Sequence, residues 1–253
     1  MPKLAFVFAP GAWHPANSFD NVTTILTEQG YDCHSIAFPS VTRVTEIKDA
    51  LLTEDIATIR SVIEALVDAG RDVVLIMHSW AGVPCCSGLK GLTRVDRQEK
   101  GLDGGVGYLF FISSFFGNMG DNLLNFFFTE MNINWWVVNK ETKTLFSDDP
   151  IYRFYFGLPA AEALKRAAAL WPHALLSMGV PAAGAAWLEV PSTYLICTED
   201  NALTLEFQRE MVNCAQAEGA NMRTVKMKTG HSPWLVDVGV FVGHLLDAVN
   251  TGI

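Results

Sequence analysis

The amino-acid sequence predicts an α/β fold, a mostly parallel, doubly wound sheet flanked by helices. Three observations carry the prediction: short apolar runs recur along the chain, amphipathic stretches lie between them, and most runs do not alternate with polar residues. Strands covered by helices on both faces read this way, whereas a half-solvated sheet would alternate. The chain has 253 residues, half of them hydrophobic and 18% charged. That is material for one large α/β domain with an apolar pocket.

Leu4–Phe8 reads as the first buried strand; it is too short for a membrane span and lacks a small-residue cleavage site. Asn17–Gln29 follows as a helix, stopped by Gly30. Ser35–Phe38 is the next strand. Glu54–Ala69 carries Ile56, Ile59, Val62, Ile63 and Leu66 at helical spacing and ends at Gly70. Val73–Met77 and Tyr108–Ile112 are strands, and most of Gly88–Gly107 between them, rich in charge and glycine, reads as a solvated loop. From about Phe115 to Leu188 no strand is clear, although Phe126–Phe128, Trp135–Trp136, Phe154–Phe156 and a helix-like Pro159–Leu170 fall there. So many aromatics outside a sheet need a partner surface, either an apolar pocket under a lid or a dimer contact. The expected division is a core of residues 1–114 and 189–253 and an inserted lid of residues 115–188. Thr193–Cys197, a helix Leu203–Ala217, Thr224–Met227 and a proline-started helix Pro233–Val249 complete the alternation.

The formal net charge of -9 argues against nucleic acid or an anionic membrane as partner, since both favour basic patches. The five cysteines are odd in number and lack metal spacing, and without a signal peptide a cytoplasmic protein with free thiols is expected. No His, Cys, Asp and Glu set has metal spacing, and no glycine-rich loop has a dinucleotide pattern, so neither metal nor cofactor is expected.

The strongest chemical signal is DVVLIMHSWAGV, from Asp72 to Val83, in which a buried strand runs into His78-Ser79-Trp80 and then a small-residue helix start. A serine on a sharp strand-to-helix turn projects its hydroxyl above the sheet, and the helix start offers amides to an oxyanion. The pattern G-x-S-x-G would need glycine at 77 and 81; the chain has Met77 and Ala81, with Gly82 one step later. The plainer reading is a serine capping an ordinary turn. A second signal is Thr229-Gly230-His231-Ser232-Pro233 after the last strand, where a histidine can reach across the sheet top; it could also merely cap a turn. A third is Cys197-Thr198-Glu199-Asp200-Asn201, where either adjacent acid could hold the imidazole in its base tautomer. The order serine, acid, histidine, each at a strand end, makes the three reinforce one another. The fourth signal, Ala9-Pro10-Gly11-Ala12-Trp13-His14, is a glycine turn able to present a backbone N–H to the same point, so Ala12 and Trp80 are the candidate oxyanion donors. His14 is a pocket wall, a second proton donor or a structural residue. His78 is expected to pack and hydrogen-bond locally. Pocket-wall candidates are Gly11, Trp13, His14, Phe115, Phe116, Trp135, Trp136, Phe154 and His173.

Through APGAWH, VVLIMHSWAG, PSTYLICTEDNALTLEFQ and TGHSPWL the whole chain resembles the compact α/β-hydrolases related to plant methylesterases and hydroxynitrile lyases. The form MHS is similar to fungal members of that group. The resemblance is weakest from Phe115 to Leu188. It implies an α/β-hydrolase fold with a six-stranded core, a helical lid after Tyr108–Ile112 and no cofactor. It places nucleophile, acid and base on Ser79, Asp200 and His231, the acid falling on Asp200 because LTLEFQ follows it as in the family. Lyases of the group carry a threonine in the first loop and a lysine after the histidine; Gly11 and Ser232 stand there, so a cyanide-releasing lyase is not expected, and Gly11 matches the esterase members instead. Hydrolysis of a carboxylic ester, thioester or lactone of a hydrophobic small molecule is the leading expectation. A lyase or isomerase of natural-product metabolism, with the histidine as base, is the alternative, and a small-molecule receptor with a residual triad is the third.

Overall fold

The computed structural model describes residues 4–42, 52–123 and 135–252. In chain order the first half holds β1 (Leu4–Ala9), α1 (Asp20–Glu28), β2 (Asp32–Ser35), α2 (Leu52–Asp68) and β3 (Asp72–His78). α3 (Gly82–Gly88), α4 (Arg94–Gln98) and β4 (Gly105–Ile112) follow. Between β4 and the last two strands of the main sheet lie β5 (Trp136–Asn139), β6 (Thr144–Ser147), α5 (Pro150–Phe154), α6 (Ala160–Ala168) and β7 (His173–Ala174). β8 (Ser192–Cys197), α7 (Leu205–Ala217), β9 (Met222–Met227), α8 (Pro233–Val236) and α9 (Val238–Gly252) close the chain.

The main sheet has six strands in the order β2-β1-β3-β4-β8-β9, and every neighbouring pair is parallel. The period of two along each strand sorts its apolar side chains into two cores. Val7, Ala9, Leu75, Met77, Leu109 and Phe111 face one side with α2 and α3; Phe6, Phe8, Val74, Ile76, Phe110 and Ile112 face the other with α1 and α9. These side chains are fully buried, and each one larger than Ala9 contributes about 1.5–3 kcal/mol. The strand order reverses between β1 and β3, and in open parallel sheets the crevice beyond the carboxyl ends of such a pair is where ligands bind.

Several local expectations are corrected. β2 lies three residues earlier than the apolar run at Ser35–Phe38, because Asp32–Ser35 pair with Ala5–Phe8 on an edge where polar side chains are tolerated. Gly88–Gly107 is not mostly a solvated loop: Thr93 caps α4, and buried Arg97 bonds Asp68 Oδ1 (2.8 Å) and the Val67 carbonyl (2.9 Å). The segment expected to lack strands carries the antiparallel sheet β5-β6-β7, so it is not purely helical. Its strands are short and β5 is mostly exposed, which leaves no apolar run to read. Phe126–Phe128 lie outside the described residues. The last expected helix breaks at Asp237, whose extended backbone separates α8 from α9 and whose carboxylate caps Val240 N (2.9 Å). Among the described residues no helix is long and apolar enough to cross a membrane.

Candidate active site

Ser79 stands where β3 turns into a single 3-10 turn (Ser79–Ala81) ahead of α3. Its φ of +53° is left-handed, a conformation that costs an L-residue roughly 1–2 kcal/mol. The neighbouring chain holds it there: the Ser79 carbonyl accepts Phe115 N–H (2.9 Å) and Ser114 Oγ–H (2.7 Å). Gly82 permits this close crossing, since a Cβ there would lie 1.9 Å from the Phe115 carbonyl oxygen. Met77, where glycine is the usual residue, is fully buried; its strand neighbours are the small Ala9 on one side and Phe111 on the other.

His231 follows β9, and its Nδ1–H donates to Asp200 Oδ2 at 2.7 Å, after β8. The Asp200 carboxylate is bound at both oxygens. Oδ1 accepts the amides of Ala202 (2.7 Å) and Leu203 (2.9 Å), and Oδ2 also accepts the Ser113 hydroxyl. Glu199 points to Lys228 (3.6 Å) at the surface, so Asp200 is the acid on the imidazole. With the proton on Nδ1, Nε2 of a neutral ring carries the basic lone pair. Among the described residues neither the Ser79 hydroxyl nor His231 Nε2 bonds another protein group; both residues line one cavity. Catalytic hydrogen bonds are commonly open in ligand-free structures. Phe154 packs against the His231 ring at 5.7 Å.

Three supports carry no motif of their own. Ser113 has a φ of +38° and binds Asp200. Buried Gln208 on α7 bonds both the N–H and the carbonyl of Cys197 (3.0 Å each) and the Leu203 carbonyl (2.7 Å), clamping both ends of the Asp200 loop. His78, expected to bond locally, instead donates Nε2–H to the His231 carbonyl (3.0 Å), tying the β3 end to the β9 loop. Burial, with His231 and His14 close by, holds the His78 pKa well below the ordinary histidine value. The polar break at Ser113-Ser114 after an apolar run was the available sequence signal for the first, and LTLEFQ contains the second.

The cavity is lined by Ala12, Trp13, Ser79, Trp80, Phe115, Trp135, Trp136, Phe154, Met178, Ala202, Leu203 and His231. Five of the aromatic wall candidates are therefore in place, and four other candidates are not among the described lining. Gly11 lies behind it: a Cβ there would come within 2.8 Å of His78 Nδ1 and 2.9 Å of Ser79 Cβ, so glycine allows the first loop to approach the serine. His14 is buried behind Ala12, bonded to its carbonyl. Phe116 turns away onto Phe111 (5.1 Å) and Trp187 (5.2 Å). His173 is buried edge-on against Trp80 (4.6 Å) and bonds Ser177 Oγ (2.8 Å). Ala12 and Trp80, the candidate oxyanion donors, both line the cavity, and among the described residues the Ala12 amide meets no protein acceptor. Among the described residues no His, Cys, Asp and Glu side chains gather as a metal-binding group. The arrangement presents a serine hydroxyl and an imidazole oriented by a carboxylate to one largely apolar chamber, a combination suited to general acid–base chemistry.

Comparison with known proteins gives a consistent pattern. A model of the alpha/beta hydrolase family matches residues 6–242. The chain is 28% identical over 255 residues to the alpha/beta hydrolase nvfD of Aspergillus novofumigatus, covering 100% of this chain and 99% of the relative. Among solved structures it is similar to an Arabidopsis methylesterase, with a TM-score of 0.74 at 16% identity, covering 98% of this chain and 99% of the other. It is also similar to tomato methylketone synthase I in complex with 2-tridecanone, with a TM-score of 0.75 at 14% identity and full coverage of both chains.

Proposed function

This chain belongs to the alpha/beta hydrolase family of enzymes, and from that premise we propose that it cleaves a carboxylic ester, thioester or lactone of a hydrophobic small molecule through Ser79, His231 and Asp200. The observation that carries the reading is the shared cavity. A serine in the left-handed conformation at the end of β3 opens on the same chamber as a histidine whose Nδ1–H is held by a buried carboxylate.

In this reading Ser79 Oγ attacks the substrate carbonyl carbon while His231 Nε2 takes its proton. Asp200 keeps the ring in the tautomer that can accept that proton and stabilises the imidazolium. The Ala12 and Trp80 amides bind the oxyanion. His231 returns the proton to the leaving oxygen or sulfur as the bond breaks, then activates water to release the acid and restore Ser79. The substrate's buried part meets Trp13, Phe115, Trp135 and Phe154, walls that favour a hydrophobic body. Residues 115–188, which supply three of these four, act as the lid.

Labelling with a fluorophosphonate probe tests the proposal, wild type beside Ser79→Ala and His231→Ala. We expect label on the wild type alone, and a turnover loss on the order of 10⁴–10⁶ in each variant on any ester substrate found. A folded wild type that takes no label and cleaves no ester would overturn it and point to lyase, isomerase or receptor chemistry on the same residues.

A further inference from the structure

The loop after β1 does something its sequence does not announce. His14 N–H bonds the Gly11 carbonyl (3.1 Å), closing a turn whose third residue, Trp13, has a φ of +67°. Glycine ordinarily takes a left-handed third position in a turn, and here a tryptophan takes it. Rotation of the Ala12–Trp13 peptide would relieve that conformation, yet the same peptide's carbonyl is held. His14 Nδ1 lies 2.7 Å from Ala12 O. A carbonyl only accepts, so Nδ1 carries a proton and donates it. On the far side of the ring Nε2 lies 3.2 Å from the Tyr155 hydroxyl, in the segment between β4 and β8. A neutral ring with its proton on Nδ1 can only accept at Nε2, so Tyr155 donates, and the two contacts agree on one tautomer.

We propose that His14 is a positioning residue: its Nδ1–H locks the Ala12–Trp13 peptide, and Tyr155 fixes that tautomer from the other side, so that the inserted segment sets the loop facing Ser79. The inference rests on the hydrolase reading for its kinetic consequence only. Ala12 and Trp13 both line the cavity, and the Trp13 ring is itself anchored through Nε1–H to the Leu145 carbonyl at 2.7 Å. Rotation of the peptide would therefore shift the Trp13 wall and loosen the adjoining backbone that carries the Ala12 amide, the candidate oxyanion donor. Burial outweighs the bond to Ala12, and with His231 nearby it brings the His14 pKa down to about 4, so the ring stays neutral near pH 7. The other groups facing it are His78 (5.4 Å) and Phe154 (5.5 Å) between ring centres.

Two isosteric variants separate the ring's two nitrogens. His14→Asn places an amide N–H where Nδ1–H stood, whereas His14→Gln keeps a polar atom near Nε2 and loses the donor to Ala12. On a p-nitrophenyl ester we expect His14→Gln to lose about 10–100-fold in kcat with KM changed less, because an oxyanion donor acts in the transition state. His14→Asn should recover to within about 5-fold of wild type on the same scale. Equal losses in the two variants would overturn the proposal, since a purely structural histidine does not distinguish them. Histidine-¹⁵N spectra of the wild type decide it independently of turnover, with the His14→Asn spectrum supplying the assignment. A neutral His14 with its proton on Nδ1 between pH 5.5 and 8 is expected; an Nε2–H tautomer, or titration in that range, would sink the idea. A wild type without ester turnover would defeat the hydrolase reading, and the spectra would still judge His14.

Discussion

Four hydrogen bonds converge on the Asp200 carboxylate, and the one from His231 is the one an amide imitates badly. Asp200→Asn can keep its oxygen on Ala202 N and Leu203 N, but its NH₂ then meets His231 Nδ1 and forces the ring into the opposite tautomer. We expect kcat to fall by about 10⁴ with a small change in Tm. Ser113→Ala leaves the tautomer alone and removes one bond, so about 1–2 kcal/mol of stability and under about 10-fold in kcat is the expected loss. Ester turnover and thermal melts of both variants check this; an Asp200→Asn enzyme retaining a tenth of kcat would refute the role given to the carboxylate. Spacing points to this loop but does not choose between Glu199 and Asp200. What separates them is direction: one side chain turns out to Lys228 and the other in to His231. Ser113 was illegible for a related reason, since a serine ending an apolar run looks like any turn serine until its partner arrives 87 positions later.

The elements that position the site divide by how fully they are buried. β1, β3, β4 and β8 are buried along nearly their whole length, and unbroken apolar runs announced them. β2 is partly and β5 mostly exposed; the first was placed three residues late and the second was not marked, because an edge strand or a short hairpin needs few apolar side chains. The glycines of the elbow and first loop were visible in the sequence, but the near contacts that exclude a Cβ at Gly11 and Gly82 were not, because they come from His78, Ser79, Ser114 and Phe115, adjacent in space. α7 shows the same limit. Its amphipathic spacing was readable, yet Gln208 on its buried face reads as an interruption of the apolar stripe, whereas it satisfies three backbone groups at the ends of the Asp200 loop. Gln208→Leu keeps the size and strands those groups, each at about 1–3 kcal/mol. We expect a loss of several kcal/mol in urea unfolding, together with reduced kcat as the Asp200 loop loosens. An unchanged urea midpoint would show that water or a shifted loop replaces the amide.

At the scale of the whole molecule, burial is the main cause of the shifts of three histidines and of Asp55, and this gives stability a definite pH dependence. His14 after β1, His78 at the end of β3 and His173 in β7 are all buried, and desolvation lowers their pKa values, to about 4 for His14 and about 3 for His173. In the unfolded chain each returns to about 6.5. Below that value the unfolded state binds the proton that the folded state refuses, so the stability these residues contribute is whole above pH 6.5 and is lost as pH falls toward their folded values. Asp55 on α2 opposes them. Burial raises it to about 7 even though its Oδ1 accepts Ser40 N–H (3.0 Å), so between its unfolded value near 4 and pH 7 the folded state holds the extra proton and gains on acidification. Three groups take up protons on unfolding in this window and one gives up a proton. The balance is a net proton uptake on unfolding, so acidification below pH 6.5 destabilises the fold. We expect Tm to drop steeply from pH 6.5 to 5 and the urea midpoint to follow. Asp55→Asn should steepen the drop, because it deletes the opposing proton. A Tm that holds or rises at pH 5 would mean that these histidines are reached by water or paired with acids. The distinction bears on activity as well: a fall in turnover below pH 6 reports on the site only where the melt shows the protein still folded.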